Sequence, residues 1–271
     1  MKDLYVKNLP VGIFDSGVGG LTVFKEIRRF LPKENLIYVG DLARVPYGSK
    51  SPGLVRKFSL QIASFLNSLG IKSLVVACNT SSATSLELLK RRFSFPVIGV
   101  IEPSVEEALK EGRRIGIIAT PTTIKSGAYQ KAILKKAPEA EVIAFPAPLL
   151  VPLVEEGWIE DPITLQVLKR YLSPFKEKGV DTLILGCTHY PLLRDMISKE
   201  MGEEVRLVDS ATSTAYRLKQ LLSRLGLEGG EGREEFFLTD DPERFHNLAV
   251  LFLGRKITNV KVIDLEEENE R

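Results

Sequence analysis

Two segments far apart in the chain repeat one pattern. VVACNTSSATSLELL (residues 75–89) and LILGCTHYPLLRDMI (residues 183–197) each run from an apolar stretch through a small residue to a cysteine, then a threonine, then an amphipathic stretch of helical period. An apolar run without alternation belongs to a strand buried on both faces, and such strands pair in parallel under covering helices. The echo therefore predicts an α/β chain of two similar lobes, each a mainly parallel sheet flanked by helices, with the active site in the cleft between them.

The rest of the chain fits that frame. Strand-like runs fall at about Val11–Phe14, Asn35–Gly40, Ser73–Ala77, Val97–Val100, Arg114–Ala119, Glu141–Ala144, Thr182–Leu185 and Val205–Val208, with helix-length segments between them. The expected division is residues 1–103 with 212–271 as the first lobe, carrying Cys78, and residues 104–211 as the second, carrying Cys187. After the Gly-rich turn LEGGEGREE come the apolar run FFL, a helix over Pro242–Leu253, the strand-like VKVIDL and an acidic, solvated tail over 266–271. A length of 271 residues suits one large α/β unit or two lobes.

Composition narrows the class of partner. Lys and Arg number 37 against 35 Asp and Glu, a net charge of +2, which offers no footprint for nucleic acid or an anionic membrane. No apolar run approaches the length of a membrane helix, and MKDLYVKNLP lacks a secretion signal's apolar stretch, so a soluble cytoplasmic protein with a small partner is expected. Two cysteines so widely separated make neither a disulfide framework nor a CxxC site, and two histidines supply a metal poorly. No metal is expected.

The chemistry-bearing residues cluster at strand ends. Each cysteine stands where a strand gives way to a helix, where free N–H groups and the helix dipole favour an anion, so a lowered thiol pKa is expected. Asp15-Ser16-Gly17 runs into Val18-Gly19-Gly20; it matches neither GxGxxG nor GxxxxGK[ST] and reads as a cradle for a carboxylate or small anion. RVPYGS (44–49) is a loop with a rigid Pro46, an amphipathic Tyr47 and a permissive Gly48. Thr120 and Thr123, taken alone, read as helix caps, and Glu155-Glu156 as a solvated helix face. His189, two residues beyond Cys187, is placed to be its proton partner, whereas His246 sits in a surface-helix pattern. Two thiols from facing lobes suit removal of a proton from one face of a carbon and its replacement on the other. A cysteine hydrolase would instead need one thiol, one His and an orienting Asn or Asp.

Through DSGVGG (15–20), PYG (46–48), ACNTSSA (77–83), TPTTI (120–124) and GCTHYPLL (186–193), in order over residues 8–265, the chain closely resembles the cofactor-independent aspartate/glutamate racemase family. DSGVGG with PYG points to its glutamate branch. The resemblance implies interconversion of L- and D-glutamate without pyridoxal phosphate, other cofactor or metal, supplying D-glutamate for peptidoglycan, by a homodimer. It implies Cys78 and Cys187 as alternating thiolate base and thiol acid, Asp15 assisting Cys78, and His189 with Glu155 on the Cys187 side. It further implies Ser16, Tyr47, Gly48, Asn79, Thr80, Thr120, Thr123 and Thr188, with Asp15 and His189, around the substrate. Ala119-Thr120-Pro121 stands where the family commonly has Gly-Thr. Other readings are an aspartate or hydantoin racemase, a non-catalytic amino-acid binding protein, against which both cysteines stand, and a thiol-disulfide enzyme, which the spacing opposes.

Overall fold

The computed structural model describes residues 6–257 and 259–266, so the acidic tail beyond Glu266 lies outside the described residues. Among the described residues ten strands form two sheets, parallel throughout. The first has β1 (Val11–Asp15), β2 (Leu36–Gly40), β3 (Ser73–Val76), β4 (Val97–Gly99), β9 (Glu234–Leu238) and β10 (Val260–Val262), in the order β10-β9-β2-β1-β3-β4. The second has β5 (Arg114–Ala119), β6 (Glu141–Pro146), β7 (Thr182–Gly186) and β8 (Arg206–Asp209), in the order β6-β5-β7-β8. The two-lobed α/β arrangement expected from the repeat is present, though the lobes differ in strand count because β9 and β10 extend the first sheet.

In both sheets the chain leaves the first strand toward one edge and later returns to build toward the other. The order reverses between β1 and β3 in one lobe and between β5 and β7 in the other. At such a reversal the connections diverge and leave a crevice outside the carboxyl ends of the strands, where open α/β sheets bind ligands. Asp15 ends β1, Cys78 follows β3, Thr120 follows β5 and Cys187 follows β7, so the topology brings them to the two crevices.

The helices are α1 (Leu21–Phe30), α2 (Pro52–Ser68), α3 (Asn79–Arg92), α4 (Ile101–Ala108), α5 (Pro121–Ser126), α6 (Ala128–Lys136), α7 (Leu150–Glu155), α8 (Pro162–Glu177), α9 (Arg194–Met201), α10 (Ser210–Leu225) and α11 (Pro242–Leu253). Three open on a cap followed by proline at the first helical position. The side chains of Ser51, Asp161 and Asp241 accept from the N–H groups of Leu54, Ile163 and Arg244, which pins the starts of α2, α8 and α11. Helix α1 packs on α10 between the two sheets, and α4 packs on α10 as well. The divisions expected at 103 and 212 fall inside α4 and α10.

Helix α10 is capped by Asp209, whose Oδ1 accepts from Ala211 N at 3.0 Å and Thr212 N at 3.2 Å. Asp209→Ala is expected to lower stability by about 1–2 kcal/mol, read as a lower denaturation midpoint at unchanged slope. An unmoved midpoint would contradict this account of the helix start.

Candidate active site

The loops after β1, β2, β3, β5 and β7 enclose a cavity of about 410 Å³. Ser16 and Gly17 enter it from β1, Tyr47 and Gly48 from the loop after β2, and Cys78, Asn79 and Thr80 from the β3–α3 junction. The second lobe contributes Thr120, Glu155 from α7, and Cys187, Thr188 and His189. Of the candidates read from sequence, Asp15 and Thr123 do not line it; both are fully buried just behind the wall. Of the Glu155-Glu156 pair, expected from pattern alone to be solvated, Glu155 turns inward while Glu156 is exposed.

Cys78 is the N-cap of α3. Its Sγ lies 3.5 Å from Ser81 N, which donates to it, and 3.7 Å from Ser16 Oγ. Tyr47, Val55 and Phe58 pack with the thiol in a small apolar cluster. The lowered pKa expected from the helix dipole is corrected here. Burial, and then the negative charge of Asp15, push the Cys78 thiol up to about 11, and the hydrogen bonds with Ser81 and Ser16 offset only part of that rise. Asp15 is itself raised above the ordinary carboxylate value, mainly by burial, against the charge of His189 and the N–H groups of Gly17 and Gly20. Its own hydrogen bonds run to Gly17 N at 3.0 Å and Thr188 Oγ1 at 3.4 Å. It therefore reaches across to the second lobe and acts on Cys78 through its field.

Cys187 has a different setting. His189 Nδ1 stands 3.8 Å from its Sγ, and His189 Nε2 is 2.9 Å from Glu155 Oε1. The second oxygen of Glu155 accepts from Arg244 Nη2 at 2.8 Å. Burial pulls the His189 pKa down, but the hydrogen bonds and charges of Cys187 and Glu155 outweigh it and raise it to about 10. Burial likewise pushes Glu155 up, and His189 with Arg244 more than reverses that, leaving it below its ordinary value. The imidazole is thus held as an imidazolium, a proton source beside one sulfur, while the other sulfur is held as a thiol.

Further close approaches and hydrogen bonds close the seam between lobes at this cavity. A Cβ at Gly19 would collide with Thr188 Oγ1 and stand 2.5 Å from the His189 ring, and one at Gly48 would stand only 2.6 Å from Thr120 Cβ. Thr22 Oγ1 donates to Thr188 O at 3.1 Å, and Asn79 Nδ2 donates to Tyr129 OH at 2.7 Å and Ser210 Oγ at 3.0 Å. So of DSGVGG only Ser16 and Gly17 face the cavity; Gly19 serves close approach of the lobes, not an anion. Thr120 stands at the N-cap position of α5, yet its hydroxyl does not cap the helix. It forms a triangle with Thr80 (2.9 Å) and Thr123 (2.9 Å), closed by Thr80 and Thr123 at 3.1 Å. Reading both threonines as caps is corrected by that triangle.

Sequence reasoning missed Arg244 and the apolar wall of Pro148, Val151 and Pro152. It also passed over Asp41, fully buried, which accepts from the Tyr47 hydroxyl and is gripped by Arg44 Nε at 2.8 Å and Thr239 Oγ1 at 2.9 Å. RVPYGS carried a hint of this, since its arginine and tyrosine both need a partner once buried. Among the described residues no group of three or more His, Cys, Asp or Glu is placed to hold a metal, and no helix is long and apolar enough to cross a membrane.

Comparison with known proteins places this geometry. The sequence pattern of the Asp/Glu/Hydantoin racemase family matches residues 16–218. A glutamate racemase of Geobacter metallireducens is 50% identical over 270 residues, covering 96% of this chain and 98% of that one. Among solved structures, a glutamate racemase isoform of Bacillus anthracis superposes with a TM-score of 0.92 at 41% identity, covering 96% of this chain and 98% of its own. The glutamate racemase of Francisella tularensis in complex with D-glutamate gives a TM-score of 0.92 at 38% identity, covering 96% and 99%.

Two outcomes follow from the geometry. Gly48→Ala is expected to cost about 1–3 kcal/mol, because the new methyl meets Thr120 across the seam, and thermal unfolding measures it; an unchanged melting temperature would contradict the close approach. Because the folded pKa of His189 is raised, its contribution to stability is full below its ordinary value of 6.5 and is lost as pH rises through about 10. His189→Gln should therefore lose stability relative to wild type near neutral pH, with the gap narrowing as pH rises through that window in denaturant titrations. A gap that widens with pH would reverse the sign.

Proposed function

The chain belongs to the Asp/Glu/Hydantoin racemase family, and from that premise we propose that it interconverts L- and D-glutamate with two thiols and no cofactor. The observation that carries the reading is that Cys78 and Cys187, on strand ends of opposite lobes, line one small cavity. Glutamate racemases cover nearly the whole chain at high identity, which supports the choice of amino acid.

The two half-sites supply what an inversion needs. One sulfur, as thiolate, takes the α-proton: the C–H bond breaks, S–H forms, and the electron pair is left on a planar carbon conjugated with the carboxylate. The opposite thiol then gives its proton to the other face, so S–H breaks and C–H forms. The product leaves with the protonation of the two sulfurs exchanged, and solvent resets them. Cys78, held as a thiol by burial and by Asp15, is the acid of the resting state. His189, held as an imidazolium, compensates negative charge on Cys187 and can return its proton.

The α-proton beside a carboxylate is a very weak acid, so the carboxylate must be met by preorganised donors where charge develops. Ser16, Asn79, Thr80 and Thr188 line the cavity with the two sulfurs, after β1, at the amino end of α3 and after β7. Tyr47, Gly48 and Thr120 line the same cavity and offer groups for a second carboxylate, and Thr123 fixes Thr120 from behind. Asp15 braces the turn that carries Ser16.

The same reading places the enzyme in the cytoplasm as a homodimer, binding no nucleic acid and no membrane, and supplying D-glutamate for peptidoglycan. It also takes 1–103 with 212–271 as the Cys78 lobe and 104–211 as the Cys187 lobe.

The test is chiral analysis of L-glutamate, D-glutamate and L-aspartate after incubation with the protein and no added cofactor. Both glutamate enantiomers are expected to approach an equal mixture while aspartate stays optically pure. Cys78→Ser and Cys187→Ser should each slow inversion by at least about 10²–10⁴-fold. Turnover of aspartate in place of glutamate, or full activity in either cysteine variant, would overturn the proposal.

A further inference from the structure

Helix α11 belongs to the segment that adds β9 and β10 to the first sheet, yet it reaches the acid–base groups of the second lobe. Phe245, Leu248, Ala249 and Phe252 bury its inner face, with Phe245 against Tyr38 and Phe236 at ring separations of 6.3 and 6.4 Å. That buried apolar face makes the helix a fixed platform. Its Asp241 cap and Pro242 fix the first turn, and Arg244 projects from that turn. Phe252 meets the His189 ring edge-on at 5.3 Å, about two turns beyond the point where Arg244 reaches Glu155.

Glu155 divides its two oxygens between lobes. Oε1 sits on His189 Nε2 at 2.9 Å and Oε2 accepts from Arg244 Nη2 at 2.8 Å. The Arg244 side chain is 52% exposed, and a pair of that kind adds little to stability. Its other member, however, is only 20% exposed and is already hydrogen-bonded to a buried histidine. The other charged or titratable groups near this chain are Cys187 and Asp15, which face His189, and Glu156, Asp241 and Glu243, which share the shallow outer depression beside Arg244.

We propose that Arg244 is a positioning residue for the Cys187 half of the site, holding one Glu155 oxygen so that the other stays on His189 Nε2 and the imidazole keeps Nδ1 toward Cys187 Sγ. This rests on the racemase reading of the cavity. Arg244 touches no reacting atom; it acts through Glu155, and it makes the C-terminal segment of the first lobe part of the second lobe's proton relay.

The charge of Arg244 helps keep Glu155 ionised, so removing it raises the pH at which Glu155 takes up a proton. In Arg244→Met the acid limb of the kcat/KM profile for glutamate should move up by about one pH unit, with the melting temperature unchanged. Arg244→Lys, which keeps the cation, should return the limb to its wild-type position. A second reading needs no substrate. The chain has two histidines, so the His189 ring resonances can be assigned with a His246 variant, and their low-pH inflection, which follows Glu155, should rise in Arg244→Met and not in Arg244→Lys. An inflection and an acid limb that stay put in Arg244→Met, or that move equally in Arg244→Lys, would overturn the proposal. If wild type leaves glutamate unchanged, the racemase reading falls and the His189 titration alone decides the role of Arg244.

Discussion

The site depends on two lobes meeting so closely that two glycines have no room for a side-chain carbon. Gly19 lies against Thr188 and His189, and Gly48 against Thr120, each across the seam. This contact brings the end of β3 and the end of β7 to one cavity; separated, each lobe would present half a site open to water. The hydrogen bonds of the seam, from Thr22 to Thr188 and from Asn79 to Tyr129 and Ser210, fix the approach near the sulfurs. Excluding water strengthens every electrostatic term inside, in either direction.

That exclusion acts differently on the two sulfurs. Around Cys78 it works with the Asp15 charge to keep the proton on, overriding the dipole of α3. Around Cys187 it surrounds a chain of groups, His189, Glu155 and Arg244, whose charges alternate and whose hydrogen bonds share every available oxygen and ring nitrogen. The cavity is thus chemically asymmetric even though its two halves come from echoed sequence. The proposed two-base inversion needs two unlike half-sites, and the surroundings of the two sulfurs differ in that way.

Much of this could be read before any coordinates. The repeat around Cys78 and Cys187 fixed the fold class, because a strand, a small residue, a cysteine and a helix describe local structure, and parallel topology puts such junctions at the ligand-binding edge. The helix over Pro242–Leu253, between FFL and VKVIDL, was legible to the residue. What stayed hidden was set by tertiary approach. The thiol shift at Cys78 was expected with the wrong sign, since the helix dipole is visible in sequence while burial and the nearness of Asp15 are not. Thr120 and Thr123 looked like caps because the third hydroxyl, Thr80, comes from the other lobe. Glu155 looked solvated because its partners, His189 and Arg244, are distant in the chain and only the fold brings them together.

The central claim is that two groups on opposite faces exchange protons with one carbon. It is tested most directly by running the reaction in deuterium oxide from each glutamate enantiomer and analysing both enantiomers at low conversion. Inversion by two sulfurs puts deuterium at the α-carbon of the newly formed enantiomer while the recovered starting enantiomer remains protiated, in both directions. Deuterium appearing in the recovered starting enantiomer as fast as in the product would mean that one group serves both faces, and the two-sulfur account would be contradicted.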